Sequence, residues 1–322
     1  MANTPPNIVH PGHPVIRAIR DRLETGGRTP AGAGPASKLG LVVEGGGMRG
    51  VMSGGALLAM EELGLTEAFD EVYAESAGAI NGSYFLAGQA ALGSRIYFED
   101  IANHRFINPF RVRRILDLDF LVDDVMVRAK PLDAKRVVQS RSRLLVSLTN
   151  AADGGRRVVD VRESRDPLLR ILKATAAIVP LYNRAVPLHD GWYVDGGIAD
   201  PIPVRNAIAN GCTHILVLLT RPPAYRDRGF RGPVWLAARL LLGKKWSASL
   251  VHTLLREKYK RYNAARDLAF GYARPEGKVS IAVICPHGHT HGVARLTRDP
   301  QRLRNALLAS RERTLELFRG TD

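Results

Sequence analysis

The sequence holds two cysteines in 322 residues, so a disulfide framework is excluded. Cys212 and Cys285 lie in or beside apolar strand-like runs, as reduced, buried thiols would, which points to a cytosolic setting. No apolar run approaches the roughly 18–20 residues that cross a bilayer. Met1 to Pro14 is polar and proline-rich, without the apolar segment of a signal peptide. Secretion and a transmembrane anchor are therefore both disfavoured. Acidic residues are also scarce, with Asp+Glu 31 against Lys+Arg 46, for a formal net charge of +15. The hydrophobic share of 45% and charged share of 24% are those of a folded globular chain, which excludes wholesale disorder.

The excess charge is not spread evenly. Residues 1–40 carry a net +3, residues 41–220 a net −1, and residues 221–322 a net +13. The middle is electrically balanced, and nearly all of the field belongs to the last third, which implies a division of labour.

Residues 1–37 are rich in Pro, Gly and Ala and read as a mobile arm with one short helix near Val15 to Leu23. From Leu39 to Glu44 a mostly apolar run reads as a buried strand, followed by helical spacing over Val51–Leu63 that Gly64 stops. A second strand over Glu71–Glu75 leads into a small-residue helix over Ser76–Gly88. Two strand–turn–helix units in succession imply a parallel sheet with helices on its faces. Arg95–Lys130 has no clear period and caps the site. Strands follow at 144–148, 156–161 and 213–220, with a helix at 166–177. Beyond a boundary at Arg221-Pro-Pro223 come helical patterns at 233–243 and 247–271, a strand at 278–284 and a helix at 299–318.

Three turns carry chemistry. Gly45-Gly-Gly-Met-Arg-Gly50 joins the first strand to its helix, where several N–H groups point into one space and a helix N-terminus adds about half a positive charge. Such a turn welcomes an anion or a developing oxyanion. The hexamer also satisfies G-x-G-x-x-G, but a dinucleotide site wants an acid at the end of the second strand, roughly 20 residues on. Asp70 and Glu71 instead precede or open that strand, so the nucleotide reading is disfavoured. Ala74-Glu-Ser-Ala-Gly78 is similar to the G-x-S-x-G nucleophile elbow, in which a sharp strand-to-helix turn exposes a serine hydroxyl. Alone, Ser76 reads equally as a helix N-cap. Asp195, beside Gly196 and Gly197, is either a loop residue or the carboxylate base that a serine nucleophile needs.

Taken together and in this order, the segments Glu44-Gly-Gly-Gly-Met-Arg-Gly50, Glu75-Ser-Ala-Gly-Ala-Ile-Asn-Gly82, Lys173-Ala-Thr-Ala-Ala-Ile-Val-Pro180 and Asp195-Gly-Gly197 resemble the patatin-like phospholipases over about residues 38–220. Residues 218–225 and 295–300 are similar to the C-terminal extension of one bacterial group of that family. The resemblance implies a three-layer α/β/α core with a mainly parallel central sheet, at 38–220, plus a mostly helical, basic extension at 221–322. It implies Ser76 as the nucleophile, Asp195 as its base in a dyad without histidine, and an oxyanion hole in the turn Gly45, Gly46, Gly47, Met48 and Arg49. Arg49 would fix the loop. Two departures stand out: Ala74 where the family has glycine, and Glu75 where it has a neutral residue. Thr175 stands in place of a serine.

His189 and His214 read as surface or core residues rather than triad members. His287, His289 and His291 read as a solvated turn rather than a metal site. No metal and no cofactor is expected. The segment Trp235–Trp246 has the composition of either a membrane-surface helix or a helix packed on the core with a basic end. No zinc-finger spacing, RNP motif or basic heptad region supports a nucleic-acid partner. The expectation is a cytoplasmic serine acyl-ester hydrolase, of phospholipase A or lysophospholipase type. It would act on phospholipid or another acyl-ester lipid, and the basic extension would bring it peripherally to anionic membrane. The alternative is a non-catalytic lipid- or membrane-binding regulator on the same scaffold, motivated by Ala74 and Glu75.

Overall fold

The computed structural model describes residues 5–25, 37–111, 114–275, 277–286 and 292–319. Among these, eight strands form one sheet: β1 (Leu39–Val43), β2 (Glu71–Ala74), β3 (Arg143–Asn150), β4 (Arg156–Asp160), β5 (Val186–Leu188), β6 (Gly191–Val194), β7 (His214–Leu218) and β8 (Ser280–Ile284). Their order is β5-β6-β3-β2-β1-β7-β8, with β4 paired to β3. The five strands from β3 to β8 along this order run parallel, and β4, β5 and β6 are antiparallel additions. Residues 39–43 are buried throughout, as expected for a strand covered on both faces.

The register positions the site. Val43, the last residue of β1, lies opposite Ala74 of β2 and Leu218 of β7. The turns after all three strands therefore open at the same edge of the sheet, the carboxyl edge where open α/β sheets bind ligands. β3 runs on past β2, and its Thr149 pairs with Val194 at the end of β6, which delivers Asp195 to the same edge.

Alternate strand residues face two cores. Leu41, Val43, Val72 and Val146 face one, which also takes in α1 (Pro14–Glu24), α2 (Gly50–Glu62), α3 (Ser76–Leu86), α4 (Ala90–Glu99) and the shorter α5 (Ala134–Gln139) and α6 (Leu168–Thr175). Val42, Tyr73, Ile215 and Val217 face the other, against α7 (Val204–Ala209) and, beyond α8 (Gly232–Gly243) and α9 (Ala248–His252), against α10 (Lys258–Phe270). The final helix, α11 (Pro300–Arg319), packs on α2, where Ser310 Oγ donates to the Met52 carbonyl at 2.7 Å. The expected α/β/α architecture with a mainly parallel sheet is present.

Two expectations need correction. Residues 5–25 of the proposed mobile arm are packed: the Val9 N–H donates to the Val283 carbonyl at 3.2 Å, and Val15, Ile16 and Ile19 of α1 are buried. Their apolar spacing places one helix face on the core, and the backbone of residues 7–9 covers the outer edge of β8. Residues 26–36 of that arm lie outside the described residues. The segment from 221 is likewise no separate unit, because it supplies β8 to the sheet, α10 to one face and α11 to the other.

Ile16 is 0% exposed, so Ile16→Ala should lower the unfolding free energy by about 2–5 kcal/mol. Urea denaturation checks this; a change below about 0.5 kcal/mol, the ordinary surface value, would show that α1 does not dock as described.

Candidate active site

The β1–α2 turn begins at Glu44, whose buried carboxylate accepts the Thr220 backbone N–H at 2.5 Å and so ties the turn to the end of β7. Gly46 and Gly47 follow with φ of 149° and 61°, values that side-chain-bearing residues rarely adopt. The Gly45 N–H donates to Glu75 Oε1 at 2.6 Å, the Met48 N–H to the Arg295 carbonyl at 3.0 Å, and the Arg49 N–H to the Gly46 carbonyl at 3.4 Å. Of the five residues expected to form an oxyanion hole, three thus spend their N–H groups inside the protein. Gly46 and Gly47 have no backbone acceptor among the described residues.

Ser76 stands two residues past the end of β2 with φ +52°, a left-handed conformation for a non-glycine residue. An N-cap serine would be extended; here the extended N-cap is Glu75, and Ser76 begins the helix. Such strain persists only where the surroundings impose it. They do so through one hydroxyl: Thr175 Oγ1 accepts the Ser76 N–H at 2.9 Å and donates to the Ser147 carbonyl of β3 at 2.7 Å. Two residues on, Gly78 leaves no room for a side chain, since a Cβ there would lie 2.3 Å from the Val43 carbonyl oxygen.

Asp195 ends β6. Its Oδ1 accepts the Gly197 N–H at 2.9 Å, while Oδ2 is buried with no hydrogen-bond partner among the described residues. Burial raises its carboxyl above the usual range, and the charges of Lys258 and Arg295, the Ser76 hydroxyl and the Gly197 N–H oppose that rise. Glu75 lies between the two glycine turns, against Gly45 and Gly197. Burial, and then the Asp195 charge, hold it well above the usual carboxylate range. Both carboxyl groups are thus held up by burial, Glu75 the more strongly, because fewer cations and donors act on it.

Ser76 stands where two cavities meet. One, of about 540 Å³ counting its open mouth, is walled by apolar side chains including Ile80, Ile96, Ile101, Phe106, Leu116 and Leu121. Much of that wall comes from the stretch after Arg95, which finishes α4, runs irregularly over residues 100–119 and coils again as a π-helix over Phe120–Ala129, so no single repeat marks it. The other, of about 470 Å³, is polar and contains Glu75, Asp195, Arg49, Arg221, Lys258 and Arg295 beside the glycine turn. The last three are site residues that motif reading did not assign; each is remote in sequence from the three turns, and only the fold brings them there. Among the described residues, no histidine lines either cavity. His189 binds Asp166 at 2.8 Å with its side chain 44% exposed, and His214 opens β7 at the opposite edge of the sheet. His287, His289 and His291 lie outside the described residues. No His/Cys/Asp/Glu group among the described residues could hold a metal ion.

Thr175→Val keeps the shape but removes the bridging hydroxyl, leaving a buried N–H without its acceptor. The unfolding free energy should fall by about 1–3 kcal/mol, with Thr175→Ser close to the parent. Equal stabilities for the valine and serine variants would show that the hydroxyl does not hold the elbow.

Comparison with known proteins agrees with this geometry. The sequence profile of the patatin-like phospholipases matches residues 41–208, more than half of the chain. The uncharacterized protein YjjU of Escherichia coli (strain K12) is 27% identical over 270 residues, which is 82% of this chain and 72% of that protein. Human patatin-like phospholipase domain-containing protein 2 is 26% identical over 138 residues, 41% of this chain and 26% of its own length. Among solved structures, VipD from Legionella pneumophila shares the fold with a TM-score of 0.50 at 13% identity, covering 91% of this chain and 69% of that one. These relationships support lipid hydrolase activity, and with the two glycine turns and the serine elbow in place, the chain belongs to the patatin-like phospholipase family.

Proposed function

We propose that this protein is a serine acyl-ester hydrolase that releases fatty acid from phospholipid or lysophospholipid through a Ser76–Asp195 dyad. The observation that carries the reading is the position of Ser76: a strained elbow at the junction of an apolar cavity and a polar cavity that holds Asp195. The acyl chain occupies the apolar side, which sets the ester carbonyl at the hydroxyl. Ser76 Oγ attacks the carbonyl carbon while its proton passes to Asp195. The N–H groups of Gly46 and Gly47 receive the oxyanion, the role of fixed dipoles aimed at developing charge. Collapse expels the alcohol, which takes the proton from Asp195. Water then attacks the acyl-enzyme with Asp195 again as base; the acyl–Oγ bond breaks, Asp195 returns the proton to Ser76 Oγ, and fatty acid leaves.

The non-catalytic alternative rests on Ala74 and Glu75, and neither disables this chemistry. Ala74 is an ordinary strand residue without positive φ, so its methyl adds no backbone strain. Burial and the Asp195 charge favour the neutral form of Glu75, which adds no charge to oppose the oxyanion.

A lipid substrate also calls for a way onto a lipid surface. No helix among the described residues is long and apolar enough to cross a membrane. The helix α8 instead exposes apolar side chains that a soluble helix would bury: Val234 is 63%, Leu240 61% and Leu241 72% exposed. Arg231, Arg239 and Lys244 are exposed around them. The inner side of α8, through Leu242 and Trp235, packs with Val179 and Ile198, neighbours in sequence of the cavity residues Ile178 and Gly197. An apolar face ringed by cations suits an anionic lipid surface.

Ser76→Ala and Asp195→Asn should each abolish hydrolysis of a short acyl ester with the fold intact by circular dichroism, and a fluorophosphonate probe should label the parent but not Ser76→Ala. Full residual activity in either variant would sink the dyad. For the surface, sedimentation with phosphatidylglycerol-containing vesicles should weaken about tenfold or more for the Leu240→Asp, Leu241→Asp double variant, and also at high salt. Binding indifferent to both changes would remove α8 from the docking role.

A further inference from the structure

We propose that Arg49, Arg221, Lys258 and Arg295 form a phosphate-binding pocket beside Ser76, built largely by the basic C-terminal third and fitted to the phosphodiester of a glycerophospholipid headgroup. The inference rests on the ester-hydrolase reading for its substrate, and on the following geometry for the pocket itself.

Four cationic side chains from four separate places in the chain line one cavity. Arg49 comes from the glycine turn, Arg221 from the loop after β7, Lys258 from the first turn of α10, and Arg295 from the loop before α11. Among the described residues the other buried cations are paired, Lys130 with Asp100 and Arg266 with Asp267. These four make no salt bridge among the described residues, although Glu44, Glu75, Asp195 and Asp227 line the same space. Three of those acids are otherwise occupied: Glu44 by Thr220, Asp227 by the Gly229 N–H, and Glu75 by the Gly45 N–H. Arg49 is buried to 7% exposure, and its Nε has no hydrogen-bond partner among the described residues.

Left empty, such a cluster is unfavourable. Burial, then the neighbouring Arg221 and Arg295, pull the Arg49 guanidinium down to about 10. Burial, then Arg295, pull the Lys258 ammonium down to about 8. An anion with several acceptor oxygens relieves both effects, and guanidinium groups match phosphate oxygens in pairs. The cations are also held ready. Arg221 stacks on the Tyr225 ring at 3.6 Å, Tyr225 meets the Tyr262 ring edge-on at 5.7 Å, and the Arg295 carbonyl is fixed by the Met48 N–H. Finally, Ser76, Gly47 and Arg295 border both cavities. A glycerophospholipid has the matching layout: acyl chain on one side of the ester, and phosphate a short glycerol segment away on the other.

The test compares phosphatidylcholine, which has no net charge, with diacylglycerol of the same acyl chains, both in neutral detergent micelles. For Arg221→Gln and for Arg295→Gln, the ratio of kcat/KM for phosphatidylcholine to that for diacylglycerol should fall roughly 10- to 100-fold, the range for losing a charge-assisted hydrogen bond. Arg295→Lys should restore part of it. An unchanged ratio in both glutamine variants overturns the proposal. A second arm measures thermal stabilisation of Ser76→Ala by glycerol 3-phosphate and by inorganic phosphate, with and without the arginine substitutions. Stabilisation lost on substitution supports the pocket, and stabilisation by inorganic phosphate with an unchanged lipid ratio overturns the headgroup assignment in favour of free phosphate. If the parent cleaves neither lipid, the hydrolase reading fails, and the second arm alone then decides whether the phosphate pocket exists.

Discussion

Everything at this site depends on a single backbone residue held where it would not rest by itself. Ser76 adopts φ +52°, and an unsupported turn of this kind would relax into the ordinary strand-to-helix path. The support is a hydroxyl bridge from the Ser76 N–H through Thr175 to the Ser147 carbonyl, which joins three elements distant in sequence. Thr175 performs with a methyl in addition what a serine would do there, and its fully buried position accommodates the difference. With the bridge in place, α3 starts hard against the end of β1, and the two glycine turns fall into register on either side of the hydroxyl.

The electrostatics follow from the same crowding. Two carboxyl groups, Glu75 and Asp195, are both buried, and the groups around them differ. Lys258, Arg295, the Ser76 hydroxyl and the Gly197 N–H act on Asp195, while Glu75 has the Gly45 N–H and Lys258 against two acidic neighbours. Environments that push two similar groups apart give them different roles. The excess of cations across the cavity completes the pattern, and an uneven charge distribution becomes a local feature of the site.

The +13 of the last hundred residues is therefore not one property. Part of it surrounds an exposed apolar helix, and part converges on the active-site cavity. Much of the remainder sits on α10 and α11, which cover opposite faces of the sheet. A charge balance along the chain separates the segments but cannot separate these uses, because it does not say which side chains face inward.

The sequence by itself determined the parallel strands, the serine elbow and the glycine turn. These features are local: a buried strand is a short apolar run, and a sharp strand-to-helix turn demands small residues at fixed spacing. It also marked Thr175 and Asp195, whose short motifs stay intact along the chain. The tertiary structure alone decided which N–H groups of the turn remain available, because Glu75 and Arg295 take two of them from 30 and about 250 residues away. It alone turned an aperiodic stretch into the wall of an apolar cavity and a proline-rich arm into a docked helix. It alone gathered Arg221, Lys258 and Arg295 around Ser76. Burial and long-range juxtaposition have no period along a chain, so they are settled only when the sheet closes and its carboxyl edge brings the loops together.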